Sequence, residues 1–203
     1  MKVYTALFEV ESATPVLYYK GEGLLRNGFP FFLPDKEPLY HAVPVLALRI
    51  AKTGKEIAPR FALRYVEALG VGFDILCPRL LMRLSASGLP WDTAVAFADS
   101  AAAFFPTPYV QPQIVTEGRF PHYAEAQLAL SVTLPDGSSF TETYAPEMPG
   151  KALSALSALT LLHCGDVLLL RKETTRAVPL AIGEQSLISL AERADTPYPL
   201  RVK

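Results

Sequence analysis

Cysteine is scarce in this chain: Cys77 and Cys164 are the only two among 203 residues, and they lie far apart. That excludes a disulfide-stapled scaffold and reads as two buried, reduced thiols of an intracellular protein. Charge is thin as well. Only 19% of residues are charged, Lys+Arg 19 nearly cancels Asp+Glu 20, and there is no basic run or acidic tail, so nucleic acid is not expected as a partner. No apolar run reaches bilayer-spanning length, and the opening MKVYTALFEVES lacks the long apolar core of a signal peptide. Membrane association is therefore not expected, and the cytoplasm is the default compartment. Repeats, linkers and low-complexity stretches are missing too, which implies one domain over residues 1–203. What the chain has in quantity is hydrocarbon, with half its residues hydrophobic and a mean hydropathy of +0.23. That is enough for a substantial core, and surplus apolar surface of this kind commonly goes into a subunit interface.

Patterning along the chain is mostly that of strands. VYTALFEV and VLYYK, separated by a Ser/Ala/Thr/Pro turn at 12–15, open it as two β-prone segments. Asn27-Gly28 is a hairpin-turn signal. The stretch Leu39 to Lys55, LYHAVPVLALRIAKTGK, supplies a central strand ending in a Lys-Thr-Gly-Lys turn. Pro59 to Leu69 reads as a helix, with Pro59 in the first turn, Phe61, Tyr65 and Leu69 at i+4 spacing, and Gly70 as the stop. Val71 to Leu76 follows as a strand. Pro106, Pro108, Pro112 and Pro121 break the middle of the chain into extended or loop structure. Ala124 to Leu134 alternates as a half-buried strand and turns at Pro135-Asp136-Gly137-Ser138 into SSFTETY. Lys151 to Leu162 is a Leu/Ala helix. Val167 to Leu170, AVPLAIGEQSLISL and PLRVK close the chain as strands.

Several short motifs occur in a fixed order. These are Lys20 ahead of an aromatic-rich Pro-Asp turn, His41 leading into the strand, Lys52-Thr53-Gly54-Lys55, Gly70-Val71-Gly72-Phe73-Asp74, Gly88-Leu89-Pro90-Trp91 and Gly165-Asp166-Val167. Each is weak alone. In this order they resemble the fumarylacetoacetate hydrolase family, from about Lys20 to the C-terminus. The resemblance implies an α+β, mostly β fold: a mixed β-roll or β-sandwich of the type of that family's C-terminal domain, with peripheral helices. It implies a homodimer, and a divalent cation, Mg²⁺ or a similar one, used on 2-oxo or enol acids. A bound metal there polarises a carbonyl and stabilises the developing enolate.

The departures fall on the pocket. Where the family carries a Glu-x-Glu pair, whose two-residue spacing puts both carboxylates on one strand face for a hard cation, this chain has Val43 and Val45 around Pro44. Asp74 alone matches the family's third ligand. Pro78, Arg79 and Leu81 stand where the family has arginine, aspartate and glutamine, Val95 where it has a substrate-binding lysine, and Leu170 where it has a threonine. No metal or other cofactor is therefore expected, with Mg²⁺ or Mn²⁺ entering only if the site survives in altered form. The leading reading is a catalytically degenerate member with a ligand-binding or structural role. A second keeps an enzyme acting on a 2-oxo or enol acid such as an acylpyruvate, with His41 and Asp74 as acid and base and Lys20 and Arg79 contacting a small 2-oxo acid. A third is an interaction subunit for an active paralogue. His122 and His163 have no convergent partners in sequence, Asp99 could replace the lost acid by a one-residue shift, and Trp91 and Phe31-Phe32 read as core or interface aromatics.

Overall fold

The structure, a computed structural model, describes residues 1–10, 12, 14–21, 23–106 and 128–203. Pro108, Pro112, Pro121, His122, Ala124 and Ala126 lie outside the described residues. Two sheets carry the described chain. The larger comprises β1 (Val3–Phe8), β2 (Val16–Gly21), β3 (His41–Ile50), β4 (Val66–Leu76), β5 (Ala101–Phe104), β8 (Val167–Lys172) and the short β9 (Val178–Pro179). Its order is β2-β1-β8-β3-β4-β5, with β9 also pairing β3. The smaller is built from β6 (Leu128–Thr133), β7 (Ser139–Tyr144), β10 (Gln185–Leu190) and β11 (Tyr198–Arg201), in the order β11-β10-β6-β7. Around them lie α1 (Pro59–Ala62), α2 (Pro78–Ala86), α3 (Asp92–Val95) and α4 (Met148–Leu159). This is the mostly β, α+β architecture expected from the sequence.

Strand period explains the layering. On β3 the even positions Leu46, Leu48 and Ile50 join one buried cluster with Leu130 and Val132 of β6, Ile188 of β10 and Tyr198 of β11, so this face packs the two sheets together. The odd positions face away from that cluster. Val45 and Ala47 meet Val3, Ala68, Val167 and Leu169, while Val43 packs with Leu76 and Val95. The sheet also curls. Strand β2 is an edge and β4 lies near the opposite edge, yet the backbone amide of Leu25, just beyond β2, donates to the carbonyl of Ala101 in β5 at 2.7 Å.

Three of the motifs have direct structural reasons. A Cβ on Gly72 would fall 2.0 Å from the carbonyl oxygen of Ala102, and one on Gly70 would fall 2.2 Å from that of Phe104. Only glycine lets β5 approach β4 this closely. In the Lys-Thr-Gly-Lys turn, Gly54 exchanges backbone hydrogen bonds with Leu162, and the amide of Glu56 donates to the carbonyl of Ser157 on α4. In Gly165-Asp166-Val167 the buried Asp166 carboxylate accepts from the backbone amides of Lys2 at 2.7 Å and His163 at 2.9 Å, which fixes the start of β1 beside β8.

Some expected boundaries move. The helix read over Pro59–Leu69 shrinks to the single turn of α1 followed by a 3₁₀ turn, Leu63–Tyr65, and Val66 already begins β4. The reason is pairing: Val66 to Leu69 register against Ile50 to Leu48, so ladder bonds outweigh the helical spacing, and Gly70 is a mid-strand residue. Asn27-Gly28 does form a turn, with Gly28 at φ 83° and the amide of Phe29 donating to Arg26, but no strand pair flanks it. Helix α4 starts three residues earlier than expected, with Pro149 in its first turn. Because a methyl at position 72 has no void to enter, Gly72→Ala is expected to destabilise the protein by about 1–3 kcal/mol or more, measured as a lower urea midpoint at unchanged slope.

Candidate functional site

The site lies on the odd face of β3. Register pairs Val43 with Asp74 and Val45 with Gly72, so the positions aligned with the family's ligands do share one face, as the resemblance requires. Val43, Val45 and Asp74 are each fully buried.

Asp74 is engaged on both oxygens. The Lys20 Nζ lies 2.7 Å from Oδ1, with both side chains fully enclosed. The Tyr18 hydroxyl donates to Oδ2 at 2.5 Å, and Arg171 Nη1 donates to the same oxygen at 3.3 Å. Lys20 also donates to the carbonyl of Ile75 at 2.8 Å and to that of Val95. Tyr18 and Lys20 share a face of β2 through the two-residue period. The curl of the sheet brings that face against β4, four strands away in the pairing order. Trp91 closes one side, its ring edge-on to Tyr18 at 5.7 Å.

Electrostatics follow from enclosure. Burial is the main influence on Lys20 and lowers its pKa, with Asp74 pulling the other way. Burial, then the neighbouring Asp74 charge, pushes the Tyr18 hydroxyl well above its usual range. For Arg171 burial acts downward, but Tyr18 and Asp74 outweigh it and the guanidinium is held more firmly charged. Two cations thus face one carboxylate.

The sequence-derived candidates separate in space. Lys20 and Asp74 come together. His41 opens β3 half-buried, on the face of Val43, and burial lowers its pKa. Arg79 is exposed on α2. Val95 is buried against Val43, and Leu81 packs against the same cluster. Asp99 is exposed in a turn at φ 59°. Phe31 is fully buried, whereas Phe32 is 64% exposed. Tyr18 and Arg171 are partners of Asp74 that motif reading missed. One signal could have found Arg171: it follows Val167 and Leu169 at strand period in a central strand whose preceding residues are all apolar, where a charge needs a buried partner.

These residues do not fit the divalent cation that the family resemblance implies. A hard cation needs several oxygen ligands. Here two of the three aligned positions offer only hydrocarbon, and the third already faces an ammonium, a hydroxyl and a guanidinium. Among the described residues, no group of three or more His, Cys, Asp or Glu side chains could hold a metal ion.

No protein-family profile matches the chain. In fold it is similar to Escherichia coli protein 1262 (TM-score 0.79, 21% identity, covering 100% of this chain and 91% of that one). It is likewise similar to fumarylpyruvate hydrolase of Pseudomonas aeruginosa, solved with Mn²⁺ and pyruvate (0.76, 22%, 100% and 89%), and to a fumarylacetoacetate hydrolase family protein of Yersinia pestis (0.75, 23%, 100% and 92%). The chain therefore has the fumarylacetoacetate hydrolase fold. In sequence it is 28% identical over 160 residues to the mitochondrial oxaloacetate tautomerase FAHD1 of Arabidopsis thaliana. That match spans 76% of this chain and 66% of the relative, just under two thirds of its length. Among the described residues, no helix is long and apolar enough to cross a membrane.

Two outcomes are expected. Val43→Glu with Val45→Glu buries two carboxylates in packed hydrocarbon and should cost more than about 4 kcal/mol. Millimolar Mn²⁺ should not restore the melting temperature. Separately, Tyr18 and Tyr144 both have hydroxyls raised by burial. The native state keeps these protons where the unfolded chain releases them, so the stability they contribute is complete below pH about 10 and is lost above it. The lowered Lys20 acts oppositely, but only up to its unfolded value near 10.5. Stability measured by urea titration should fall as pH rises past about 10, and Tyr18→Phe should lessen that fall.

Proposed function

We propose that the chain is a fumarylacetoacetate hydrolase family member that has lost the metal-dependent hydrolase or isomerase activity and keeps a ligand-binding or structural role, as a single-domain cytoplasmic homodimer. The observation that carries this reading is the state of Asp74. Metal-assisted enolate chemistry needs carboxylate oxygens free to hold a cation and an open position for substrate. Here both oxygens already have partners, and valines replace the other two carboxylates. The 28% identity to a tautomerase and the collinear motifs support the family assignment.

That same likeness favours a second reading: an enzyme working on a 2-oxo or enol acid without the cation, with His41 and Asp74 as acid and base and Lys20 and Arg79 toward the substrate. Physical chemistry weighs against it. Asp74 is fully buried between two cations with no side open to a substrate, and a fully enclosed ammonium is a poor substrate contact. Purified protein assayed for acylpyruvate cleavage and oxaloacetate tautomerisation, with and without Mg²⁺ or Mn²⁺, is expected to match the buffer blank, as is His41→Ala. Turnover above the blank that His41→Ala abolishes would establish the enzyme reading instead.

A further inference from the structure

A cavity lies on the other side of the large sheet from Asp74. Tyr40 and Cys77, just outside β3 and β4, fall by strand period with Ala42 and Ile75 in the main core, whereas Val43 and Leu76 belong to the Asp74 side. Helix α2 separates the two regions, sending Leu81 toward Val43 and Leu80 toward the main core. Between α2, the residues after α3 and the chain leading into β3 there is a cavity of about 490 Å³, walled by Leu80, Phe97 and Cys77. That is the size of a small-molecule site. Its polar lining comes from Lys36, Glu37, Tyr40 and Arg83, and these groups are unevenly committed. Arg83 Nη2 and Glu37 Oε1 neutralise each other at 3.3 Å. Lys36 is exposed and has no charged partner among the described residues. Tyr40 is only 4% exposed, its ring edge-on to Phe97 at 5.5 Å, yet its hydroxyl has no hydrogen-bond partner among the described residues. Burial, then the neighbouring Cys77 and Glu37, raises the pKa of that hydroxyl, so it is a donor.

We propose that this cavity binds a small monocarboxylate with an apolar body, its carboxylate accepting from the Tyr40 hydroxyl and facing Lys36, its body against Leu80 and Phe97. Charge sets the sign of the ligand. Lys36 and Arg83 against Glu37 leave one positive charge on the lining, and the one carboxylate there is already paired, so a cationic ligand finds no free acceptor of opposite charge. A buried hydroxyl without a partner costs free energy, and a carboxylate oxygen in the cavity recovers it. Because the cavity and Asp74 lie on different faces of the sheet, the inference holds whether or not any turnover remains.

Calorimetric titration of the whole chain with 4-phenylbutyrate and with octanoate is the test. At least one should bind saturably, with a dissociation constant on the order of 0.1–1 mM, and 4-phenylbutylammonium should not bind. In ¹H–¹⁵N spectra the shifts on adding the acid should concentrate at residues 34–40, 77–83 and 93–98. Tyr40→Phe should weaken binding about fivefold, and Lys36→Gln about two- to fivefold. Ala98 is exposed and lines the cavity, so Ala98→Trp can fill it from outside and should abolish binding at an unchanged melting temperature. The proposal is overturned if neither acid saturates, if 4-phenylbutylammonium binds as well as the acids, if the shifts centre on residues 41–45 and Asp74, or if folded Ala98→Trp binds like the wild type. Should Ala98→Trp fail to fold, the wild-type shift map decides: shifts around the cavity support the site, and shifts elsewhere remove it.

Discussion

The contact between Lys20 and Asp74 joins two parts of the large sheet that strand pairing keeps apart. Hydrogen bonding carries the order β2-β1-β8-β3-β4-β5, and nothing in a ladder of neighbours requires the edge strand β2 to meet β4. The ion pair at 2.7 Å does so with both side chains out of water, and the Tyr18 hydroxyl doubles it from the same strand. Each charged group has been removed from solvent at a cost of several kcal/mol, so the arrangement persists only while every partner is in place. The curl of the sheet, the packing of Trp91 over Tyr18 and the position of α3, which offers the Val95 carbonyl, all bear on this one contact.

Much of the architecture was legible because the strands obey their two-residue period. Alternation in the segment ending at Leu134 becomes β6, whose described residues alternate buried and half-buried. The glycine pair before Asp74 has its reason in the carbonyls of Ala102 and Phe104. The Pro59–Leu69 helix failed because i+4 spacing is a local signal, while β4 is set by a long antiparallel ladder with β3. The site was half legible. That positions 43, 45 and 74 share one strand face could be read from the order and spacing of the motifs. What surrounds Asp74 could not, since Lys20, Asp74 and Arg171 lie on strands β2, β4 and β8 and meet only through the closure of the sheet.

That difference changes the description of the pocket. From sequence, loss of the Glu-x-Glu pair suggests a cavity lined with hydrocarbon. In the structure hydrocarbon covers Val43, Leu76 and Val95, but beside it lies a compact polar network of two cations, a carboxylate and a phenol. A carboxylate is costly to bury alone. Lys20 and Arg171 both face Asp74 and offset its charge in place.

The pairing of β1 with β8 also bears on how the chain reaches this state. Val3 to Phe8 runs parallel to Val167 to Lys172, so one side of this strand lacks its neighbour until residues 167–172 have been synthesised. During translation β1 can pair only with the nearby β2. Its other edge stays open to water, chaperones or another nascent copy. Closure over such a sequence separation carries a large entropy cost and slows folding.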